Sequence, residues 1–144
     1  MVKLVLVTHA QLAAHMLQTA AQILGKAAED VQTLSVTTSS SVEQGAQELK
    51  KLLAGAENGV IVLTDIFGGS ATNIALTATK DCPKCHVITG LNLSMLLTAL
   101  NSRKKLDAKE LAEKIEADGK RAVINATELL IKGLSYADCF CTGG

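Results

Sequence analysis

"LTDIFGGSATN", residues 63–73, decides the fold. Its first two residues close the apolar run "GVIVLT" (59–64). A carboxylate, Asp65, follows, then two glycines, a serine and a stretch that reads as helix. A strand that ends in a polar residue and turns through glycine into a helix is the β→α junction of an α/β sheet. Three more runs have the same short, β-branched, nearly continuous character: "KLVLVT" (3–8), "VQTLSV" (31–36) and "HVITGL" (86–91). Unbroken apolar runs fit strands covered on both faces, as in parallel sheets.

Helical periodicity fills the intervals. Residues 11–24 space Leu12, Met16, Ala20, Ile23 and Leu24 at helical intervals, with Gly25 as the stop. In 41–54, Ser40 and Glu43 form a possible capping box and Leu49, Leu52 and Leu53 supply a buried face. Ser70 can cap a helix running to about Thr79. Leu93, Leu96, Leu97 and Leu100 mark the next, and Asp107 with Glu110 opens a last one carrying Leu111, Ile115, Val123 and Ile124. Gly119 inside that segment predicts a bend or a break. The resulting β-α-β-α-β-α-β-α-α order predicts a doubly wound, mainly parallel, flavodoxin-like α/β sheet with strand order 2-1-3-4 and helices on both faces. One domain over 1–134 is expected, followed by a Cys- and Gly-containing tail, 135–144.

Ligands of such sheets bind beyond the carboxyl ends of the strands, where the strand order reverses. With order 2-1-3-4, strands 1 and 3 are neighbours at that reversal. His9, in "VTHAQ" (7–11), follows the first, and Asp65 follows the third. Each alone is unremarkable, a loop histidine and a turn-capping acid. Their meeting at one crevice gives them a joint use. An imidazole that attacks through one ring nitrogen must hold its proton on the other, and a carboxylate bonded to that second nitrogen fixes tautomer and ring plane. Gly68 and Gly69 let backbone approach an anion, and the amides at the entrance of the Ser70 helix supply donors for phosphate. The set suits moving a phosphoryl group onto and off a histidine. The hydroxyls of "TTSSS" (37–41) are further candidates to face that phosphate, whereas His15 and His86 read as structural.

Composition excludes other classes. Fourteen basic and fourteen acidic residues give a formal net charge of zero, with no basic stripe for nucleic acid. The apolar runs are far below membrane-spanning length, and the N-terminal run is too short for a signal-peptide core, so the cytoplasm is expected. Neither G-x-x-x-x-G-K-[ST] nor G-x-G-x-x-G occurs. With two Phe, one Tyr and no Trp, the chain offers little for flavin stacking. Of four cysteines, Cys82 and Cys85 form "CPKC" and Cys139 and Cys141 lie in "DCFCTGG". In a reducing compartment these are expected to be thiols rather than staples. The C-x-x-C lies between a helix and the next strand, not at a helix start as in thioredoxin-like sites. A four-thiolate zinc site joining both clusters would need an atypical C-x-C half.

"VTHA" after the first strand, "LTDIFGGSATN" after the third and "VITGLNLSMLLTAL" across the fourth strand and its helix resemble the IIA component of the mannose (mannose–fructose–sorbose) family. That family belongs to the bacterial phosphoenolpyruvate-dependent sugar phosphotransferase system (PTS). The similarity runs in register over about residues 1–133, and D-x-x-G-G-S is its most specific element. The resemblance implies a homodimer that takes phosphate from the phosphocarrier HPr and passes it to a IIB component, touching the membrane only through a IIC/IID permease. It implies no cofactor and no metal. It makes His9 the phosphorylated residue and Asp65 its hydrogen-bonded partner, puts Gly68, Gly69 and Ser70 in the active-site loop as phosphate-binding residues together with Thr8, and places Asn92 beside it. Family members exchange a short C-terminal strand across the dimer; no run in "AVINATELLIKGLSYADCFCTGG" (122–144) reads as that strand. A transport-independent regulatory phosphoprotein and a dihydroxyacetone-kinase-type phosphotransfer subunit are the alternatives.

Overall fold

The computed structural model describes residues 1–133. Four strands, β1 (Lys3–His9), β2 (Gln32–Val36), β3 (Val60–Thr64) and β4 (Cys85–Thr89), form one sheet in the order β2-β1-β3-β4. All three pairings are parallel, with Val7 opposite Leu34 on one side and Thr64 on the other. Six helices accompany them: α1 (Leu12–Leu24), α2 (Val42–Leu53), α3 (Ser70–Thr79), α4 (Leu93–Ser102), α5 (Ala108–Arg121) and α6 (Ala126–Ile131). The fold is the one the periodicity predicts.

Strand alternation sorts the core into two layers. Leu4, Leu6, Ile61 and Leu63 face α1, α4 and α5, packing with Ala13, Ala20, Leu96, Leu111 and Ile115. Val5, Val7, Val60 and Val62 face α2 and α3, packing with Leu49, Ile74 and Ala75. Every residue of β3 is buried, whereas β4, on the edge, is only partly covered. Odd positions of β1 thus point to the α2–α3 layer and even positions to the other. That parity separates His9 from Thr8.

Several local expectations shift. The buried face of α1 keeps part of the predicted stripe: Ala20 is buried and Met16 and Leu24 pack against the core, but Ala13 joins them while Leu12 and Ile23 are exposed. The Thr8 hydroxyl accepts from Ala13 N–H at 2.9 Å and sets the phase of the helix. The cap of α2 is Ser41, which accepts from Gln44 N–H at 3.1 Å, because the Ser40 hydroxyl is engaged by Thr37 N–H at 3.2 Å. The cap of α3 is Gly69, and Ser70 is its first helical residue. The Asp107–Glu110 capping box forms, but α5 ends at Arg121. Val123 and Ile124 therefore lie outside it, and Val123 is 82% exposed. Gly119 does not break α5; it sits against Met95, where a Cβ would collide.

Cys82 and Cys85 are joined as a disulfide, which corrects the expected free thiols. The turn after α3 folds them together through Cys82 N–H to Thr79 O at 2.9 Å and Cys85 N–H to Cys82 O at 3.1 Å. Cys139, Cys141 and the expected tail lie outside the described residues, which hold no group of three His, Cys, Asp or Glu placed to bind a metal. Among the described residues no helix is long and apolar enough to cross a membrane.

Candidate active site

At the carboxyl ends of β1 and β3, His9 and Asp65 meet. His9 Nδ1 lies 2.9 Å from Asp65 Oδ2, and the same oxygen accepts from His9 backbone N–H at 2.8 Å. The other carboxylate oxygen, Oδ1, accepts from Ile66 N–H at 2.9 Å. Burial pushes the Asp65 carboxyl up, but the His9 backbone bond, the ring bond and the Ile66 bond together outweigh it and hold it below the ordinary carboxylate range. An ionised carboxylate on Nδ1 keeps the ring proton there. Nε2 is left with a free lone pair, on a side chain 42% exposed.

The backbone turns sharply after the histidine. Ala10 adopts φ +49, a left-handed conformation that costs an alanine about 1 kcal/mol. Ala10 N–H is bonded to Val36 O at 3.1 Å, so the neighbouring strand fixes the bend. The two glycines serve different ends. Gly68 has φ +78, a requirement of its turn. Gly69 has ordinary extended geometry, but a Cβ there would stand 3.3 Å from His9 Cε1 and 3.4 Å from Ile66 O. Its missing side chain makes room for the imidazole. Gly69→Ala should leave stability within about 1 kcal/mol of wild type, yet displace the ring and slow the chemistry severalfold. Parallel denaturation and activity assays check this.

The entrance of α3 differs from its counterparts. Side chains cap α2, α4, α5 and α6, namely Ser41, Asn92, Asp107 and Asn125, and Thr8 reaches the first turn of α1. No side chain caps α3. Its first-turn amides, beginning at Ser70, present unneutralised donors and the positive end of the helix dipole beside His9.

Thr8 does not join this cluster. It is fully buried on the opposite layer with its hydroxyl on Ala13 N–H, which assigns it to the entrance of α1 and corrects its expected place on the phosphate. Asn92 caps α4 through Met95 N–H at 3.0 Å and donates to Gly119 O at 3.3 Å, a structural duty. The Thr37, Ser39 and Ser40 hydroxyls bond one another.

Sequence reasoning overlooked Thr72. Nearly buried in the first turn of α3, its hydroxyl donates to Ile66 O at 2.7 Å and lies 2.9 Å from the Thr64 hydroxyl. Ile66 O also accepts from Gly69 N–H at 3.3 Å. Thr72 thereby ties strand end, loop and helix into one unit around Asp65. Thr72→Val should cost about 1–3 kcal/mol through the unpaired groups it leaves and should loosen the loop. Thr72→Ser should restore both stability and rate, by denaturation and transfer assays.

The family model described as the PTS system fructose IIA component (EIIA-man) matches residues 3–116. The chain belongs to this family. It is 31% identical over 104 residues to the fructose-specific EIIA component of the PTS from Bacillus subtilis (strain 168). That match covers 72% of this chain and 65% of the relative, so the chain spans just under two thirds of that protein's length. The mannose/sorbose-specific IIA subunit from Enterococcus faecalis is 30% identical with a TM-score of 0.78, covering 86% of this chain and 93% of that one. The EIIA structure from Streptococcus agalactiae, at 24% identity, shares the fold with a TM-score of 0.81, covering 89% and 99% of the two chains.

Proposed function

We propose that this IIA domain is a phosphohistidine relay, accepting a phosphoryl group from phospho-HPr on His9 and handing it to a IIB component. The single observation that carries the reading is the state of the imidazole: Nδ1 is held by Asp65, leaving Nε2 free beside the uncapped entrance of α3.

The Nε2 lone pair attacks the phosphorus of the donor phosphohistidine. The donor's N–P bond breaks and its ring nitrogen keeps the electron pair. His9 then carries an N–P bond on Nε2 and a proton on Nδ1, and Asp65 offsets the positive charge that the ring gains as attack proceeds. Negative charge spreads over the equatorial oxygens during transfer, so orientation and donors carry most of the catalysis. Gly68, Gly69 and Ser70 supply the close backbone and first-turn amides for those oxygens. The phosphoryl group is already activated by the donor's N–P bond, so neither metal nor other cofactor enters the scheme. Onward transfer to the IIB component repeats the exchange in reverse.

The proposal includes a cytoplasmic location, an indirect link to a IIC/IID permease and pairing of two copies. In support of pairing, α6 buries none of its residues within the chain, and Leu130 and Ile131 are about four-fifths exposed. Incubation with phosphoenolpyruvate, Enzyme I and HPr tests the relay. Intact mass should rise by one phosphoryl group per chain, and the gain should be lost in acid. A protein that gains no mass under these conditions overturns the reading.

A further inference from the structure

The chain builds its described core without aromatic residues. With two Phe, one Tyr and no Trp in all, Phe67 is the only one of these aromatic residues among positions 1–133. It is 80% exposed, and its neighbour Ile66 is 63% exposed. Both stand in the loop between Asp65 and Gly68, on the rim of the His9 crevice.

This loop is not slack. Gly69 N–H reaches Ile66 O at 3.3 Å, closing a four-residue turn with Phe67 and Gly68 at its corners. The φ of +78 at Gly68 suits the second corner of a type II turn. Asp65 Oδ1 holds Ile66 N–H and Thr72 holds Ile66 O, so the turn is anchored at both backbone groups of its first residue. An apolar pair presented on a fixed turn loses little freedom when it is covered, which is the property of an interface anchor.

Charge is sparse in the loops around it. The loops at this end of the sheet, residues 10–11, 37–41, 65–69 and 90–92, contain no Lys or Arg, and Asp65 is their one acid. The opposite end holds Glu29, Asp30, Lys80, Lys84, Lys104 and Lys105 among others. Lys120 and Arg121, in the last turn of α5, also lie at this end of the sheet, where Asn92 donates to Gly119 O, so the uncharged patch is confined to the loops, and there apolar contact carries recognition.

We infer that Ile66 and Phe67 form the docking anchor for the phosphorylated donor protein, filling an apolar recess beside its phosphohistidine. The inference rests on the relay proposed above and adds the surface that recognises the protein partner. Phe67 touches neither phosphorus nor His9 in this scheme; it raises the residence of the donor over Nε2.

The experiment compares two donors on wild type, Phe67→Ser and Ile66→Ser. Phospho-HPr requires docking. Phosphoramidate transfers its phosphoryl group directly to Nε2, its N–P bond breaking to release ammonia, and is too small to use a docking surface. For Phe67→Ser, kcat/KM with phospho-HPr should fall about tenfold or more, mainly through KM, while the phosphoramidate rate stays at the wild-type value. Ile66→Ser should show the same pattern more weakly. An unchanged kcat/KM with phospho-HPr overturns the inference, as does an equal loss with both donors. Wild type that phosphoramidate labels on His9 but phospho-HPr does not would overturn the donor assignment and this anchor with it. Wild type labelled by neither would overturn the relay itself.

Discussion

His9→Ala should abolish phosphorylation by phospho-HPr, with no residual mass gain at another residue. The loss is complete because His9 is the only histidine among the described residues that stands at the carboxyl end of a strand, so no second imidazole is there to form the N–P bond. Thr8 is buried with its hydroxyl engaged, and the hydroxyls of Thr37, Ser39 and Ser40 bond one another. The variant should fold normally. His9 is half exposed at the end of its strand, and its principal side-chain bond is to Asp65, which keeps the His9 and Ile66 backbone N–H bonds after the ring is removed. Intact mass, with denaturation as a control for folding, checks the outcome. Equal labelling of the variant would place the phosphoryl group elsewhere.

Asp65→Asn has the second-largest effect, a rate reduced about 10²- to 10⁴-fold by loss of the correct tautomer. The amide oxygen can still accept from Ile66 N–H in the place of Oδ1, but the amide nitrogen then stands in the place of Oδ2 and His9 backbone N–H loses its acceptor. That nitrogen donates to Nδ1 and drives the ring proton onto Nε2, the atom that must attack. Single-turnover transfer from phospho-HPr measures the drop; an unchanged rate would reduce Asp65 to a turn-former. A pH-dependent difference accompanies it. The folded Asp65 carboxyl is held below its ordinary 3.8, so the unfolded chain takes up this proton first as pH falls. The stabilisation is fully present above that value and is lost as pH drops through the folded value. Wild type should therefore lose more stability than Asp65→Asn on acidification below about pH 4, measured by denaturant unfolding across the range.

The strands and the meeting of His9 with Asp65 were legible because they rest on long-range regularities. Continuous β-branched runs mark buried parallel strands, and the strand order brings the ends of β1 and β3 together. Details fixed by single hydrogen bonds were not. Ser40 and Ser41 are equal candidates for a cap until Thr37 claims one of them. Leu12 and Ile23 fit a helical stripe, but the bond from Ala13 N–H to Thr8 rotates α1 away from it. Thr8 was placed on the phosphate by the resemblance of its loop, while strand parity sends its side chain to the other face. Thr72 left no signal, since a threonine in a first helical turn looks the same whether or not its hydroxyl holds a loop. Gly69 was read for its backbone, and its reason proved to be the imidazole 3.3 Å from where a Cβ would stand.

The identity of the phosphorylated atom tests the account most directly. Nitrogen-15 NMR of the phosphorylated protein, with histidine labelled in the ring, distinguishes the two imidazole nitrogens. The account predicts phosphorus on Nε2 of His9 and a proton on Nδ1. Phosphorus on Nδ1, or on any residue other than His9, contradicts it.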